Sequence, residues 1–327
     1  MRRGAEPEAM SVTITAPARL HLGFLDPSGG LGRRFAGIGL ALGELGTRIN
    51  VRIAASTHIE GPEQGRVQRY LDAMRQHLGV RDTYAIRVEE TVAAHVGLGS
   101  GTQIALAVAA GIRRLHDLPL DVIGDAVRLG RGGRSGIGIG VFERGGLILD
   151  GGRGSTTTTP PIIARLPFPG AWRVILVLDT ARKGMHGAHE GTAFESLPRF
   201  PDAEAAHHCR LVLMQALPAV LERDLTAFSA AIRDLQQGIG DYFAPVQGGS
   251  RFFSPDVAAA LARLDAAGAH GIGQSSWGPT GFAFAQSDAA ANELTALLGN
   301  EDRFRALDIR ICSGLNRGAE IVAHAVA

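Results

Sequence analysis

Three glycine-rich stretches carry small polar or basic side chains that could hold an anionic ligand. The first, residues 96–103, reads VGLGSGTQ and leads directly into apolar residues at helical spacing. Glycines permit a tight turn, and the helix that follows presents unpaired N–H groups and the positive end of its dipole. This pattern favours phosphate binding, although a tight loop entering a core helix would look the same. The phosphate-binding candidates here are Gly97, Gly99, Ser100, Gly101, Thr102 and Gln103.

The second stretch, residues 130–140, reads GRGGRSGIGIG and adds Arg134 and Ser135 to these candidates. Arginines beside a hydroxyl resemble an anion cradle, whereas the glycines alone would indicate only close packing. The third stretch, residues 271–280, reads GIGQSSWGPT. Its Trp277 could stack on an aromatic ligand or could plug the interface between two domains.

Polar side chains near the N-terminus form a further group. Arg19, His21 and Asp26 lie in or directly after a predicted strand, next to a basic, glycine-rich loop at residues 29–34. These side chains suit an anionic ligand, but a strand with solvated polar faces is equally compatible with them. A second histidine-containing group, His186, His189 and Glu190, invites a metal interpretation. It lacks a further fixed ligand, so a site without metal is favoured.

Alternating helical and strand patterns must position these residues. Strands are predicted at residues 11–16, where Pro17 should end the strand, and at 47–54, 84–90, 173–178, 281–285 and 307–312. Helices are predicted at residues 66–78, 104–115, 121–129, 202–217, 218–237, 255–267 and 289–298. The threonine- and proline-rich segment 151–161 is the best boundary, which predicts domains at 1–160 and 161–327.

The composition excludes several classes of protein. The 327 residues are 45% hydrophobic and 20% charged, with a net charge of +1, so neither nucleic acid nor a membrane surface is an expected partner. Two cysteines exclude a disulfide framework and a multi-cysteine metal cluster. Without an apolar secretory segment after Arg2 and Arg3, the expected location is the cytoplasm.

Three blocks of the chain resemble the GHMP kinase superfamily. They are residues 16–22 (APARLHL), 96–103 and 271–279, in the order that this superfamily shows. The resemblance covers nearly the whole chain and implies an α+β fold of two domains. The N-terminal domain would be like domain 2 of ribosomal protein S5, the C-terminal domain would be ferredoxin-like, and the site would lie in the cleft between them.

Two departures from the kinases stand out. Many GHMP kinases carry a catalytic aspartate two residues after a Ser-Gly pair, where this chain has Gly138 after Ser135 and Gly136. Some use a lysine near the start, which Arg19 replaces here, and arginine is a poor proton shuttle. An ATP-dependent small-molecule kinase therefore becomes the alternative function, and a ligand-binding protein without activity is a second alternative.

Four motifs together are similar to the β-ribofuranosylaminobenzene 5′-phosphate synthases: residues 21–26, 97–103, 130–138 and 273–280. This resemblance implies a decarboxylating phosphoribosyl transfer in tetrahydromethanopterin biosynthesis. Phosphoribosyl diphosphate and 4-aminobenzoate, or 4-hydroxybenzoate, would give a C-riboside phosphate, CO₂ and diphosphate. It also implies a homodimer, and Mg²⁺ with no organic cofactor.

The reaction suggests a role for each candidate. Backbone N–H groups of the first glycine stretch and arginines such as Arg19 would stabilise the departing diphosphate. Mg²⁺ would be held by Asp26 or Glu143. The aromatic acid would contact Ser276 and Trp277. The catalytic candidates are Arg19, His21, Asp26, Gln274 and Ser275.

Overall fold

Two β-sheets, each covered by helices, form the protein in its computed structural model. The structure describes residues 10–182, 184, 192–194 and 196–325. The first sheet has seven strands, and five of them lie in the order β11-β1-β2-β4-β3, with β5 and β6 continuing from β2. Its strands are β1 (Met10–Asp26), β2 (Phe35–Ala54), β3 (His58–Glu60), β4 (Thr83–Glu90), β5 (Leu147–Asp150), β6 (Ile162–Leu166) and β11 (Glu320–Ala325).

The second sheet has four strands in the order β10-β7-β9-β8. They are β7 (Arg173–Leu178), β8 (His270–Gln274), β9 (Gly281–Ala285) and β10 (Asp308–Ser313). In chain order these strands are inner, outer, inner and outer, and helices follow the first and the third of them, as the predicted ferredoxin-like half requires. All of its strand pairs are antiparallel.

The helices lie between these strands in the chain. In the first half they are α1 (Gln64–Leu78), α2 (Ser100–Leu115), α3 (Val122–Arg128) and α4 (Ile137–Arg144). In the second half they are α5 (Asp202–Leu211), α6 (Leu217–Glu222), α7 (Leu225–Phe243), α8 (Pro255–Ala266) and α9 (Asp288–Gly299). A π-helical turn at residues 212–216 joins α5 to α6. Among the described residues, no helix is both long and apolar enough to cross a membrane.

Helix α2 lies at the centre of the first half because its middle, residues 104–112, has only apolar residues and glycine and is buried. It contacts β1 and β2 and forms a core with Val12, Ile14 and Val51 of those strands. Gly111 permits this close approach, since a Cβ atom there would lie 2.9 Å from Val51. The buried helix therefore fixes where its N-terminus, and with it the first glycine stretch, meets the rest of the molecule.

Strand β1 is longer than the sequence predicts. Pro17 does not end it; instead the register with β2 shifts between Pro17 and Ala18, and the strand continues to Asp26. A bulge absorbs the missing N–H group of proline without ending the ladder. This continuation places Arg19 and His21 on a strand of the first sheet.

One other prediction of local structure needs correction. The helical region after residue 202 breaks at Asp224, which caps α7 through a bond from the Ala227 N–H group, and not between residues 217 and 218. The two sheets do not correspond to the chain before and after residue 160, because β6 and β11, which follow that residue, both belong to the first sheet. The predicted domain boundary thus stays a prediction, and the last strand of the chain returns to pair with β1.

Candidate active site

A cleft of about 620 Å³ opens where loops from both halves of the chain meet. Four segments form its walls: strand β1, the loop entering α2, the loop entering α4 and the loop after β8. The described side chains that line it include five arginines and two histidines but no aspartate or glutamate. The arginines are Arg19, Arg66, Arg131, Arg134 and Arg153. Although the whole chain is nearly neutral, this lining is cationic and suits a polyanion.

The loop entering α2 forms one wall. Gly99 has a φ of 76° and is the N-cap of α2, and the Thr102 N–H group donates to its carbonyl oxygen at 3.0 Å. A Cβ atom on Gly99 would lie 3.1 Å from the Arg19 side chain, so glycine is required for both conformation and space. The α2 N-terminus thereby lies beside a guanidinium group, and the two together favour a phosphate group.

The predicted phosphate-binding residues divide into two groups. Gly97, Gly99, Ser100, Gly101 and Thr102 line the cleft, as do Arg134 and Ser135. Gln103 does not: it is fully buried, and its Nε2 donates to the Gly138 carbonyl oxygen at 2.8 Å. It ties α2 to α4 behind the cleft, so its assignment to phosphate stays a prediction that this geometry does not support.

The loop entering α4 is held from behind by a buried carboxylate. Asp150 accepts bonds from the Ser135 hydroxyl at 2.9 Å and from the Gly136 N–H group at 2.8 Å. Burial is the main cause that raises the pKa of Asp150, while its hydrogen bonds oppose that shift. The carboxylate fixes the position of Ser135, whose neighbour Arg134 lies with its guanidinium carbon 5.7 Å from the centre of the Phe194 ring.

His21 lies on β1 between the cationic and aromatic parts of the cleft. It is 2% exposed, and its Nδ1 accepts a bond from the Gly23 N–H group at 3.2 Å. Burial, followed by the charge of Arg19, holds the pKa of His21 well below its usual 6.5. The imidazole is therefore neutral at physiological pH, and its proton is on Nε2.

Trp277 belongs to a buried aromatic cluster at the other end of the cleft. Its ring centre lies 4.4 Å from that of Phe243 and 5.1 Å from that of Phe194, and the side chain is 4% exposed. Phe24 joins the cluster, with its ring centre 4.4 Å from that of His21. Trp277 and Ser276 both line the cleft, where the sequence places an aromatic ligand.

Two of the predicted catalytic residues are structural ties. The Ser275 hydroxyl donates to the Gly97 carbonyl oxygen at 2.7 Å and accepts from the His21 N–H group at 3.0 Å. Gln274 accepts from the Phe253 N–H group at 2.7 Å and donates to Gln247 at 2.9 Å. Neither is among the residues that line the cleft, so the bonds seen here hold the loop and β1 in place, and the catalytic assignments of both residues stay predictions.

The two carboxylates expected to hold Mg²⁺ also lie elsewhere. Asp26 accepts the N–H groups of Ser28, Gly29 and Gly30 at 2.7–3.0 Å, which organises the basic loop. Glu143 lies at the far end of α4, paired with Arg144 at 3.5 Å. Glu143 lies six residues after Ile137, which places it about 9 Å further along α4 from the end of the helix that faces the cleft. Both carboxylates lie outside the described cleft lining, so their assignments to Mg²⁺ and the catalytic assignment of Asp26 stay predictions that these positions do not support.

The sequence analysis did not identify several of the residues that line the cleft. Arg66 and Arg153 lie in a predicted helix and in the predicted linker, without a neighbouring motif to mark them. Arg131 stands in the second glycine stretch, where it donates to the Tyr70 hydroxyl and lies 5.6 Å from the centre of that ring. The group formed by His186, His189 and Glu190 falls outside the described residues. Within the described residues, no group of three or more histidine, cysteine or acidic side chains could hold a metal ion.

Family comparisons agree with this architecture. The model of the GHMP kinases N terminal domain matches residues 66–145, and that of the GHMP kinases C terminal matches residues 216–300. Among solved structures, homoserine kinase from Cytophaga hutchinsonii has a TM-score of 0.69 at 16% identity, covering 98% of this chain and all of that one. Mevalonate diphosphate decarboxylase from Staphylococcus aureus has a TM-score of 0.67, also at 16% identity, covering 96% and 98%. These likenesses show the fold.

Curated relatives define the family more narrowly. A β-ribofuranosylphenol 5′-phosphate synthase from Archaeoglobus fulgidus is 33% identical over 320 residues, covering 94% of this chain and 98% of the relative. Synthases of the same name from Methanothermobacter thermautotrophicus and Methanocaldococcus jannaschii are 28% and 35% identical. They cover 96% and 68% of this chain, and 99% and 76% of their own lengths. The chain belongs to the β-ribofuranosylphenol 5′-phosphate synthase family, within the GHMP kinase superfamily.

Proposed function

We propose that this protein is a decarboxylating phosphoribosyltransferase that joins phosphoribosyl diphosphate to 4-hydroxybenzoate or 4-aminobenzoate. One observation carries the proposal: a cleft lined by five arginines and a helix N-terminus ends against a buried aromatic cluster that includes Trp277. The cationic part matches a sugar diphosphate, and the aromatic part matches a planar acid. The relatives' name specifies a ribosyl phenol phosphate, which is the product expected from 4-hydroxybenzoate.

The first step breaks the bond between ribose C1 and the diphosphate oxygen. The electron pair leaves with diphosphate, and the sugar becomes oxocarbenium-like. Arg19, Arg131 and the N-terminus of α2 lie where they would take up the charge on the departing group. Because guanidinium groups stay protonated, they act by charge and hydrogen bonding and do not transfer a proton.

The second step forms the bond between C1 and the ring carbon that carries the carboxylate. The bond from that carbon to the carboxylate then breaks, and CO₂ leaves. The electron pair of the broken bond stays on the ring and restores its aromaticity. Since CO₂ and not a proton leaves the ring carbon, no general base is needed there. The protein's task is to hold the flat ring against C1, which a rigid aromatic wall does well.

In this proposal Mg²⁺ would be bound to phosphoribosyl diphosphate and not to side chains of the protein. The described cleft lining offers no carboxylate, and carboxylate oxygens are the side-chain ligands that Mg²⁺ prefers. The residues present therefore do not fit a magnesium ion bound by protein side chains, and no step is assigned to one. A cytoplasmic location, which rests on the sequence features, likewise stays a proposal, as do a homodimer and a role in tetrahydromethanopterin biosynthesis, which rest on the family resemblance.

A kinase is the second candidate because the structural neighbours include homoserine kinase. The position of the aspartate that many kinases use is Gly138 here, and a Cβ atom there would lie 3.2 Å from the Thr102 side chain. The backbone at this position thus faces α2 closely and has little room for a carboxylate. This observation favours the transferase.

The decisive experiment is a release assay with carboxyl-labelled 4-hydroxybenzoate or 4-aminobenzoate. We expect labelled CO₂ only when phosphoribosyl diphosphate is present, together with diphosphate in equal amount. An absence of CO₂ with both acids, combined with consumption of ATP in the presence of an alcohol substrate, would establish the kinase instead. Ligand binding with no turnover of either kind would leave a binding protein.

A further inference from the structure

The carboxylate of Asp150, at the end of β5, joins three segments of the chain behind the cleft. Its Oδ2 accepts from the Ser135 hydroxyl at 2.9 Å and from the Gly136 N–H group at 2.8 Å. Its Oδ1 accepts from the N–H group of Gly152 at 3.0 Å and from that of Gly37, on β2, at 3.2 Å. Asp150 is fully buried and does not line the cleft, so it can act on a ligand only through its neighbours.

The four bonds require a charged carboxylate and no other side chain of this size. A carboxylate only accepts hydrogen bonds and has two oxygens for them, whereas an amide of the same shape has one acceptor oxygen. All four donors to Asp150 are neutral, and within the described part of the chain no cation pairs with it. Burial of this charge is unfavourable and raises the pKa of Asp150. The chain thus keeps a costly charge where it fixes backbone positions.

Two of the segments that Asp150 fixes carry an arginine of the cleft lining. Arg134 directly precedes Ser135, and Arg153 directly follows Gly152. The segment around Arg153 is also paired with Arg34, whose N–H group donates to the Arg153 carbonyl oxygen at 2.9 Å. A side chain reaches into a cleft from its own backbone. The carboxylate therefore sets where both guanidinium groups begin.

The other cleft arginines are placed without Asp150. Arg19 and Arg131 lie against the first turn of α2, within 3.1 Å and 3.2 Å of where Cβ atoms on Gly99 and Gly101 would be. The cationic lining thus has one group at the α2 N-terminus and a second group formed by residues 134 and 153. Phosphoribosyl diphosphate carries negative charge at both ends of its sugar, on C1 and on C5, so two cationic groups match it.

We propose that Asp150 is a positioning residue for phosphoribosyl diphosphate and acts through Arg134 and Arg153. The identity of this anion rests on the proposed function. When the negative charge of Asp150 is removed, at least one of the four donors loses its acceptor, and the loop that carries it is no longer held. A guanidinium group displaced by about 1 Å loses much of its contact with the anion.

The test measures the Kd of phosphoribosyl diphosphate by calorimetry on the full-length protein, without the aromatic acid. Asp150→Asn keeps the shape of the side chain but leaves one acceptor oxygen, so it should raise this Kd at least about fivefold. KM for the aromatic acid should rise less than about twofold. Misfolded molecules lower the number of binding sites and not the Kd, so partial misfolding cannot imitate this result.

A double-mutant cycle shows whether Asp150 acts through the two arginines. Arg134→Gln combined with Arg153→Gln should raise the Kd at least about tenfold, while the group at the α2 N-terminus still holds the ligand. Adding Asp150→Asn to this variant should change the Kd less than about twofold, because the groups that it positions are already gone. A further rise as large as in the unmodified background would overturn the proposal.

Asp125 provides the matched control, because it is a second buried aspartate outside the cleft. Its carboxylate accepts from Arg113 at 2.6 Å and 2.7 Å and from Arg128 at 3.1 Å. Asp125→Asn should lower the midpoint of urea denaturation, as Asp150→Asn should, but leave the Kd unchanged. Equal rises in Kd for the two variants would reduce the effect of Asp150 to lost stability and overturn the positioning role.

Ser135→Ala serves in the cycle if Asp150→Asn does not fold, because it removes one bond to the same carboxylate. An effect on the Kd that persists without the two arginines would show that the hydroxyl group binds the ligand directly, which overturns the proposal. A rise confined to KM for the aromatic acid would overturn the assignment to the sugar diphosphate.

The binding assay also separates this inference from the proposed function. If the unmodified protein binds phosphoribosyl diphosphate but releases no CO₂ from either acid, the proposed function is overturned, and the cycle still decides the role of Asp150. An unmodified protein that does not bind phosphoribosyl diphosphate would overturn both.

Discussion

At the scale of single residues, charge is the feature that most separates the cleft from the rest of the surface. Arg131 illustrates how its guanidinium groups are held. It donates to the Tyr70 hydroxyl, lies over that ring and comes within 3.2 Å of where a Cβ atom on Gly101 would be. A guanidinium fixed beside the α2 N-terminus is preorganised for a phosphate group and loses little freedom when one binds.

Replacing Arg131 tests this claim. Arg131→Gln should raise KM for phosphoribosyl diphosphate at least about tenfold, because a charge-assisted contact to an anion contributes roughly 1.5–3 kcal/mol. KM for the aromatic acid should change far less. Steady-state kinetics with each substrate varied in turn would measure both values.

The control for Arg131 is an arginine of α4 that points away from the cleft. Arg144 has a side chain that is 63% exposed and lines no part of the cleft, so Arg144→Gln should leave both KM values unchanged. An equal rise of both KM values in Arg131→Gln would contradict a specific phosphate contact.

The sequence identifies site residues well where a motif surrounds them. Gly97, Ser100 and Trp277 stand in glycine-rich stretches, and all three line the cleft. Arg66 shows the limit, since it lies in a helix without any motif and reaches the cleft only because α1 packs beside α2. Residue type alone also did not reveal the local role of Asp26. A carboxylate can bind a metal ion, but here it accepts hydrogen bonds from three backbone N–H groups.

At the scale of elements, the packing of α4 against α2 explains why one kinase feature has no place here. Gly138 is the second residue of α4, and its carbonyl oxygen accepts from Gln103 of α2. A Cβ atom on Gly138 would lie 3.2 Å from the Thr102 side chain, which is closer than ordinary van der Waals contact. Helix positions and glycine spacing follow from the sequence, but which glycine faces another helix follows only from the packing.

Substituting aspartate at this position should damage the fold and not create a kinase. Gly138→Asp should lower the free energy of unfolding by about 1–3 kcal/mol, because it overpacks the contact with Thr102. Urea denaturation would measure this change, and an ATP-consumption assay should stay negative.

A matched control lies in α1. Gly65 is also the second residue of its helix, but a Cβ atom there would have no neighbour within 4 Å. Gly65→Asp should be neutral or slightly stabilising, because a carboxylate near a helix N-terminus interacts favourably with the dipole. Stability losses of equal size in the two variants would refute the packing argument.

At the scale of the whole molecule, the two halves of the chain are joined directly behind the site. β11 pairs with β1, and the loop after β8 supplies hydroxyl groups to the glycine loop. The sequence predicts both halves and most of their elements. It could not predict these joins, because they link residues far apart in the chain, such as Ser275 to Gly97 and Thr280 to Val96.

These two hydroxyl groups lead to the prediction for the whole molecule. Ser275 donates to the Gly97 carbonyl oxygen at 2.7 Å and also accepts from the His21 N–H group, whereas Thr280 donates to the Val96 carbonyl oxygen at 2.6 Å. Ser275→Ala leaves the His21 N–H group without its partner, while the Gly97 carbonyl oxygen keeps a bond from Arg19 Nη1 at 3.3 Å, and Thr280→Val leaves the Val96 carbonyl oxygen without its partner. We expect the free energy of unfolding to fall by about 1–3 kcal/mol for each buried group left unpaired, so the two variants should lose similar amounts.

The same variants should also weaken substrate binding, although neither hydroxyl group lines the cleft. If the second half of the chain holds the glycine loop in its binding geometry, KM for phosphoribosyl diphosphate should rise in Ser275→Ala under conditions where the protein is still folded. Thr156→Val, at an exposed threonine of the segment between β5 and β6, should change neither stability nor KM. A Ser275→Ala protein that is less stable but has an unchanged KM would show that this join supports the fold alone. A rise in KM would instead show that the C-terminal half helps to build the phosphate wall, and that the site is a property of both halves together.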